Sequence, residues 1–134
     1  MVKGTEWESA TPREKVQVQT ITDESGQPLQ PNLTSPVLLL GDSHTLVFSE
    51  PESFHCDGVG LFDQLSYQLG GPIDLEGSAG GGLVTARLNL YRKVVANPTY
   101  WQGKRAVVWV FSAREITQST FRKGFISVPI EKKQ

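Results

Sequence analysis

The chain has 134 residues, 38% of them apolar and 20% charged, with 13 Lys plus Arg against 14 Asp plus Glu and a net charge of -1. That length suits one domain with a real hydrophobic core, and so even a charge balance excludes the basic footprint of a nucleic-acid or anionic-membrane binder. A single cysteine, Cys56, excludes an internal disulfide and a thiolate metal site, and no apolar run approaches the roughly 20 residues that span a bilayer.

Residues 1–14 are polar and aperiodic and are expected to be a frayed or tag-like lead-in without the apolar centre of a signal peptide. The remainder, 15–134, is expected to form a single domain. "KVQVQTITDESGQPLQP" alternates and then meets a Ser-Gly turn and two prolines, which predicts an N-terminal β-hairpin or edge element. "VLLLG", bounded by Pro36 and Gly41, has the continuous apolar pattern of a strand buried on both faces of a parallel sheet. Leu61, Phe62, Leu65 and Leu69 share one helical face before the stop Gly70-Gly71-Pro72.

"PIDLEG" predicts a second strand, and the glycines of "GSAGGG" allow a tight turn after it. Leu83, Ala86, Leu90 and Val94 recur at helical spacing until Asn97-Pro98. "RAVVWVFSARE" reads as another buried strand, and "FISVPI" as a short terminal strand held to an edge by Pro129. The alternation predicts an α/β domain, a three-layer, mostly parallel sheet flanked by helices.

Ligands of open α/β sheets bind beyond the carboxyl ends of the strands. Three stretches should converge there: residues 41–44, 77–82 and 112–115. Gly41 lets the chain turn sharply and leaves Ser43 exposed at its tip as a candidate nucleophile. The backbone N–H of Ser43 and one from Gly80 or Gly81 supply a candidate oxyanion hole. The plainer reading has Asp42 and Ser43 capping a short helix.

"VLLLGDS", then "FDQLSYQLG", "IDLEGSAGGG…AR" and "VVWVFSARE", in that order, resemble the SGNH/GDSL hydrolase superfamily, in particular its alginate O-acetyltransferase-like branch, over residues 15–116. The resemblance implies an acetyl-transferring or ester-cleaving Ser43, an oxyanion hole near Gly80 and Gly81, and no cofactor. It further implies O-acetylation of an exopolysaccharide in the periplasm or cell envelope, with a polysaccharide or acyl-ester substrate and other acetylation-complex proteins as partners. The branch carries an Asp-x-His motif upstream of the serine, yet residues 1–40 contain no histidine. Other members place Asp-x-x-His near the C-terminus, and residues 117–134 have neither Asp nor His. The chain thus resembles the later part of such a domain, with the missing pair expected outside it. The alternative is a noncatalytic carbohydrate- or protein-binding module of the same fold.

The remaining candidates carry competing readings. His44 adjoins Ser43, where neighbouring side chains diverge, so it is a bystander or, with Asp42, a substrate contact. His55 can serve as a base only if its loop folds back over Ser43 with Asp57 as orienter; otherwise both belong to an exposed loop and helix cap. His44, His55 and Asp57 match no zinc spacing. Arg114 can steer a sugar carboxylate or form an ion pair with Glu115, and Arg87 is a substrate contact or a solvated helix residue. Trp109 reads as sheet packing. Tyr100 and Trp101 stack on a sugar or cover the core.

Overall fold

The computed structural model describes residues 15–49, 56–117 and 127–130. The lead-in at residues 1–14, most of the segment carrying His55, and residues 125–126 of the expected terminal strand lie outside them. Among the described residues three strands, β1 (Val37–Gly41), β2 (Asp74–Gly77) and β3 (Ala106–Val110), form one parallel sheet in the order β2-β1-β3. Helix α1 (Leu61–Gln68) links β1 to β2, and α2 (Gly82–Ala96) links β2 to β3. A short helix, α3 (Arg114–Thr117), follows β3.

The central position of β1 follows from its sequence. Side chains of a strand alternate between faces, so only a run apolar at every position can be covered on both. Leu38 and Leu40 face α2, where they meet Ala86, Leu90 and Val94 in one core cluster. Leu39 faces α1 and packs with Phe62 and Ile73 in the other. The four apolar positions that define the stripe of α2, Leu83, Ala86, Leu90 and Val94, are all buried, with Leu83, Leu90 and Val94 each worth about 1.5–3 kcal/mol on transfer from water. Helices thus flank the sheet on both faces. Helix α1 follows its expected stripe less closely: Phe62 is buried, but Leu69, its C-cap, is 56% exposed.

Three expectations are corrected. The N-terminal β-hairpin reduces to one antiparallel bridge, Thr22 to Pro28, around a turn in which the Asp23 carboxylate accepts from the backbone N–H groups of Ser25 and Gln27. Val16 and Val18 are exposed, because alternation makes a strand only where a partner strand supplies the ladder. The third strand, expected to be buried, is the edge of the sheet among the described residues. Helix α2 packs on β1 and β2, leaving Val107 46% and Trp109 41% exposed. Residues 127–130 form no strand; Val128 packs on the α2-side core, and the Pro129 carbonyl accepts from the Trp101 indole N–H at 2.7 Å.

Tyr100 and Trp101 cover the core. The Tyr100 hydroxyl also donates to the buried Asp74 carboxylate at 2.6 Å. Lys104 Nζ reaches the same carboxylate at 2.8 Å and Lys93 Nζ at 3.2 Å, while Lys93 also pairs with Glu76 at 2.8 Å. Burial first, then the Asp74 hydrogen bond and the charges of Asp74 and Glu76, push the Tyr100 phenol well above its ordinary value of 10.0. A phenol raised by folding stabilises the fold fully below its unfolded value, and this is lost as pH rises through the folded one. Wild type is therefore expected to exceed Tyr100→Phe by about 1.5–3 kcal/mol at neutral pH, the range for a hydrogen bond to a charged group. The gap should shrink above about pH 10. Urea midpoints of the two proteins across that range check this, and a gap indifferent to pH contradicts it.

Candidate active site

The register of the sheet sets three strand ends side by side, with Gly41 opposite Gly77 of β2 and Val110 of β3. Gly41 passes between the Val110 carbonyl and the Thr45 side chain so closely that a Cβ would collide with both. From there the chain enters a 3-10 turn, Ser43–Thr45, with Asp42 as its N-cap. The capping reading of Asp42 therefore holds: its Oδ1 accepts from the His44 backbone N–H at 2.9 Å. Thr45 Oγ1 closes the turn by donating to the Asp42 carbonyl at 2.7 Å.

Asp42 does more than cap. Its Oδ2 accepts from the Ser112 backbone N–H at 3.0 Å, joining the loop after β1 to the loop after β3. Its Oδ1 also lies 2.9 Å from His44 Nδ1. The Asp42 side chain is 5% exposed and that of His44 61%, so the carboxylate anchors the inner edge of an imidazole whose body faces solvent. Burial alone would raise the Asp42 carboxyl, but the N–H groups of Ser112 and His44 and the His44 ring together outweigh it and hold the group below its usual 3.8. Asp42 is therefore ionised at neutral pH.

The other two stretches arrive at the same edge. Leu46, just beyond the Ser43 turn, packs where a Gly77 Cβ would stand. The turn at residues 78–81 leads into α2, with Gly80 at φ +74°. Glu115 Oε2 accepts from the Leu83 N–H at 3.2 Å, placing a carboxylate at the first turn of α2, where the helix dipole favours one. A Cβ on Gly82, at φ +59°, would stand 2.9 Å from that carboxylate. Glu115 thus engages α2 through its backbone, and Arg114 opens α3.

Ser43 is half-buried, and among the described residues no side chain hydrogen-bonds its hydroxyl. Asp57 is also half-buried, with Oδ1 lacking a hydrogen-bond partner among the described residues; its loop is held by the N–H groups of Val59 and Gly60 donating to the Phe48 carbonyl. His55 lies outside the described residues. Arg87 stands over Trp109, 5.6 Å from the ring centre, on the open face of β3. The described residues hold no group of three His, Cys, Asp or Glu side chains able to bind a metal, and no helix long and apolar enough to cross a membrane.

The pairing of Asp42 with the His44 ring was missed at the sequence level. The available signal was local: an N-cap carboxylate accepts from the backbone two residues on, which draws the side chain of that residue toward it. Chemically, the edge offers a hydroxyl, an imidazole anchored at Nδ1, and backbone N–H groups in a glycine-rich turn. Comparison of the chain with protein-family models, curated proteins and solved structures found no match.

Proposed function

We propose that this chain is an SGNH-type serine acyl-transfer domain in which Ser43 accepts an acyl group, commonly acetyl, and passes it to a carbohydrate hydroxyl or to water. The observation that carries the reading is the position of Ser43, on a turn at the carboxyl end of the central parallel strand, with the glycine-rich turn of the neighbouring strand across from it. A half-buried hydroxyl there borders the edge of the sheet where ligands of open α/β sheets bind, and backbone N–H groups nearby can receive the charge of a tetrahedral intermediate. The ordered resemblance of residues 37–43, 73–82 and 107–115 to the O-acetyltransferase-like branch supports acetyl as the group and a cell-envelope polysaccharide as the acceptor.

A second reading, a noncatalytic module that binds carbohydrate or protein through the same edge, is favoured by one observation: no described side chain hydrogen-bonds Ser43 Oγ. Rapid mixing with p-nitrophenyl acetate separates the two. Acyl transfer predicts a burst of nitrophenol that Ser43→Ala lowers by at least about 10³-fold, as loss of a nucleophile does in related chemistry. Equal rates in the two proteins favour the binding module.

A further inference from the structure

The resemblance leaves Ser43 without a base, because its Asp and His should lie elsewhere in sequence. The structure nevertheless places an Asp and His together within the serine's own turn. We propose that His44, oriented by Asp42, is the proton-transfer residue of the Ser43 site; this rests on the acyl-transfer reading above.

A general base needs three things: a lone pair at the reacting edge, a fixed tautomer, and a partner that stabilises the imidazolium. Asp42 supplies the last two. A carboxylate that is ionised and buried accepts only, so the ring nitrogen 2.9 Å from it, Nδ1, carries the proton. Nε2 is then the basic nitrogen, on an exposed ring at the same sheet edge as Ser43. Ser112 holds the other carboxylate oxygen, so Asp42 is fixed from two loops and cannot swing away without losing its three hydrogen bonds to Ser112 and His44. Among the described residues Asp42 is the one charged group within ion-pair distance of the His44 ring. Glu115, from α3, engages the Leu83 N–H, and the Lys93, Lys104, Asp74 and Glu76 cluster is built around β2 and the approach to β3.

Adjacent side chains diverge, so the proton passes through one bridging water rather than by direct contact. As Ser43 Oγ bonds to the acyl carbon, its proton moves through that water to Nε2. Collapse of the tetrahedral intermediate breaks the bond to the leaving oxygen, and Nε2 returns the proton to it. The acceptor hydroxyl then loses its proton to Nε2 as its oxygen bonds to the acyl carbon, and collapse of this second intermediate breaks the bond from Ser43 Oγ to the acyl carbon while Nε2 returns that proton to Oγ. Asp42 is a positioning residue throughout.

The test uses the full chain with p-nitrophenyl acetate over a pH series. Ser43-dependent acylation is expected to fall toward acid pH. His44→Gln should lower its rate about 10²–10⁴-fold, the usual range for general acid–base catalysis, and abolish that acid limb. His55→Ala should retain the limb. Acylation that is absent, or indifferent to Ser43→Ala, overturns the acyl-transfer reading itself. Ser43-dependent acylation whose acid limb survives His44→Gln, or vanishes with His55→Ala, overturns only the assignment of His44. Nitrogen NMR of the ring provides a readout apart from activity: a proton on Nδ1 supports the proposal, and one on Nε2 overturns it.

Discussion

Asp74→Ala is expected to destabilise the domain by about 3–5 kcal/mol, because removing one partner of a buried ion pair leaves the other charge uncompensated. Lys104 bears most of that loss. Its side chain is 4% exposed, and without the carboxylate the carbonyls of Leu33 and Ser35 are, among the described residues, what remains to accept from its ammonium. Tyr100 loses its acceptor in the same step, and Lys93 retains Glu76 and the Leu75 carbonyl. Because the charges cost desolvation when buried, Asp74→Ala combined with Lys104→Met should recover much of the loss. Chemical denaturation of the three proteins decides this. A double variant less stable than Asp74→Ala alone would show that Lys104 stabilises the fold independently of the carboxylate.

Gly41→Ala is the second large effect, and it links the fold to the site. The added methyl meets backbone on one side, the Val110 carbonyl, and the buried Thr45 side chain on the other. Neither can withdraw cheaply, since Val110 lies in the β3 ladder and Thr45 Oγ1 is tied to the Asp42 carbonyl. Overpacking of this kind costs about 1–3 kcal/mol, occasionally more. Here the strain falls on the turn that carries Ser43. Both stability and Ser43 labelling should decline, whereas Gly103→Ala, where a Cβ meets nothing within 4 Å, should leave labelling unchanged. Unfolding curves and labelling rates measured together check the pair.

What the sequence discloses here depends on how local the cause is. The run Val37–Gly41 declares a central strand because four consecutive apolar residues suit a strand covered on both faces. Leu83, Ala86, Leu90 and Val94 declare the buried stripe of α2 because their spacing matches the helical repeat. "AVVWV" has the same apolar character as β1, yet it forms an edge. That difference depends on which strands α2 covers, and no residue within the run encodes it. Likewise "KVQVQT" has a strand's alternation without a partner ladder. The Asp74 cluster gathers side chains from two strands' surroundings, a helix and a loop, so no spacing announces it.

The candidate site divides along the same line. The meeting of residues 41–44, 77–82 and 112–115 at one edge follows from parallel strands ending together, which the order of elements implies. The Asp42 to His44 pairing depends on the rotation of one 3-10 turn. Sequence adjacency suggested that His44 points away from Ser43, which leaves out that the ring has a buried carboxylate to turn toward.

Ser43 carries the proposed chemistry, and covalent capture tests it most directly. After incubation with p-nitrophenyl acetate, peptide mapping by mass spectrometry should find one acetyl group on the peptide bearing Ser43, lost in Ser43→Ala. An unmodified Ser43, or acetylation of surface lysines that proceeds equally in both proteins, would contradict the assignment of Ser43 as the acyl acceptor.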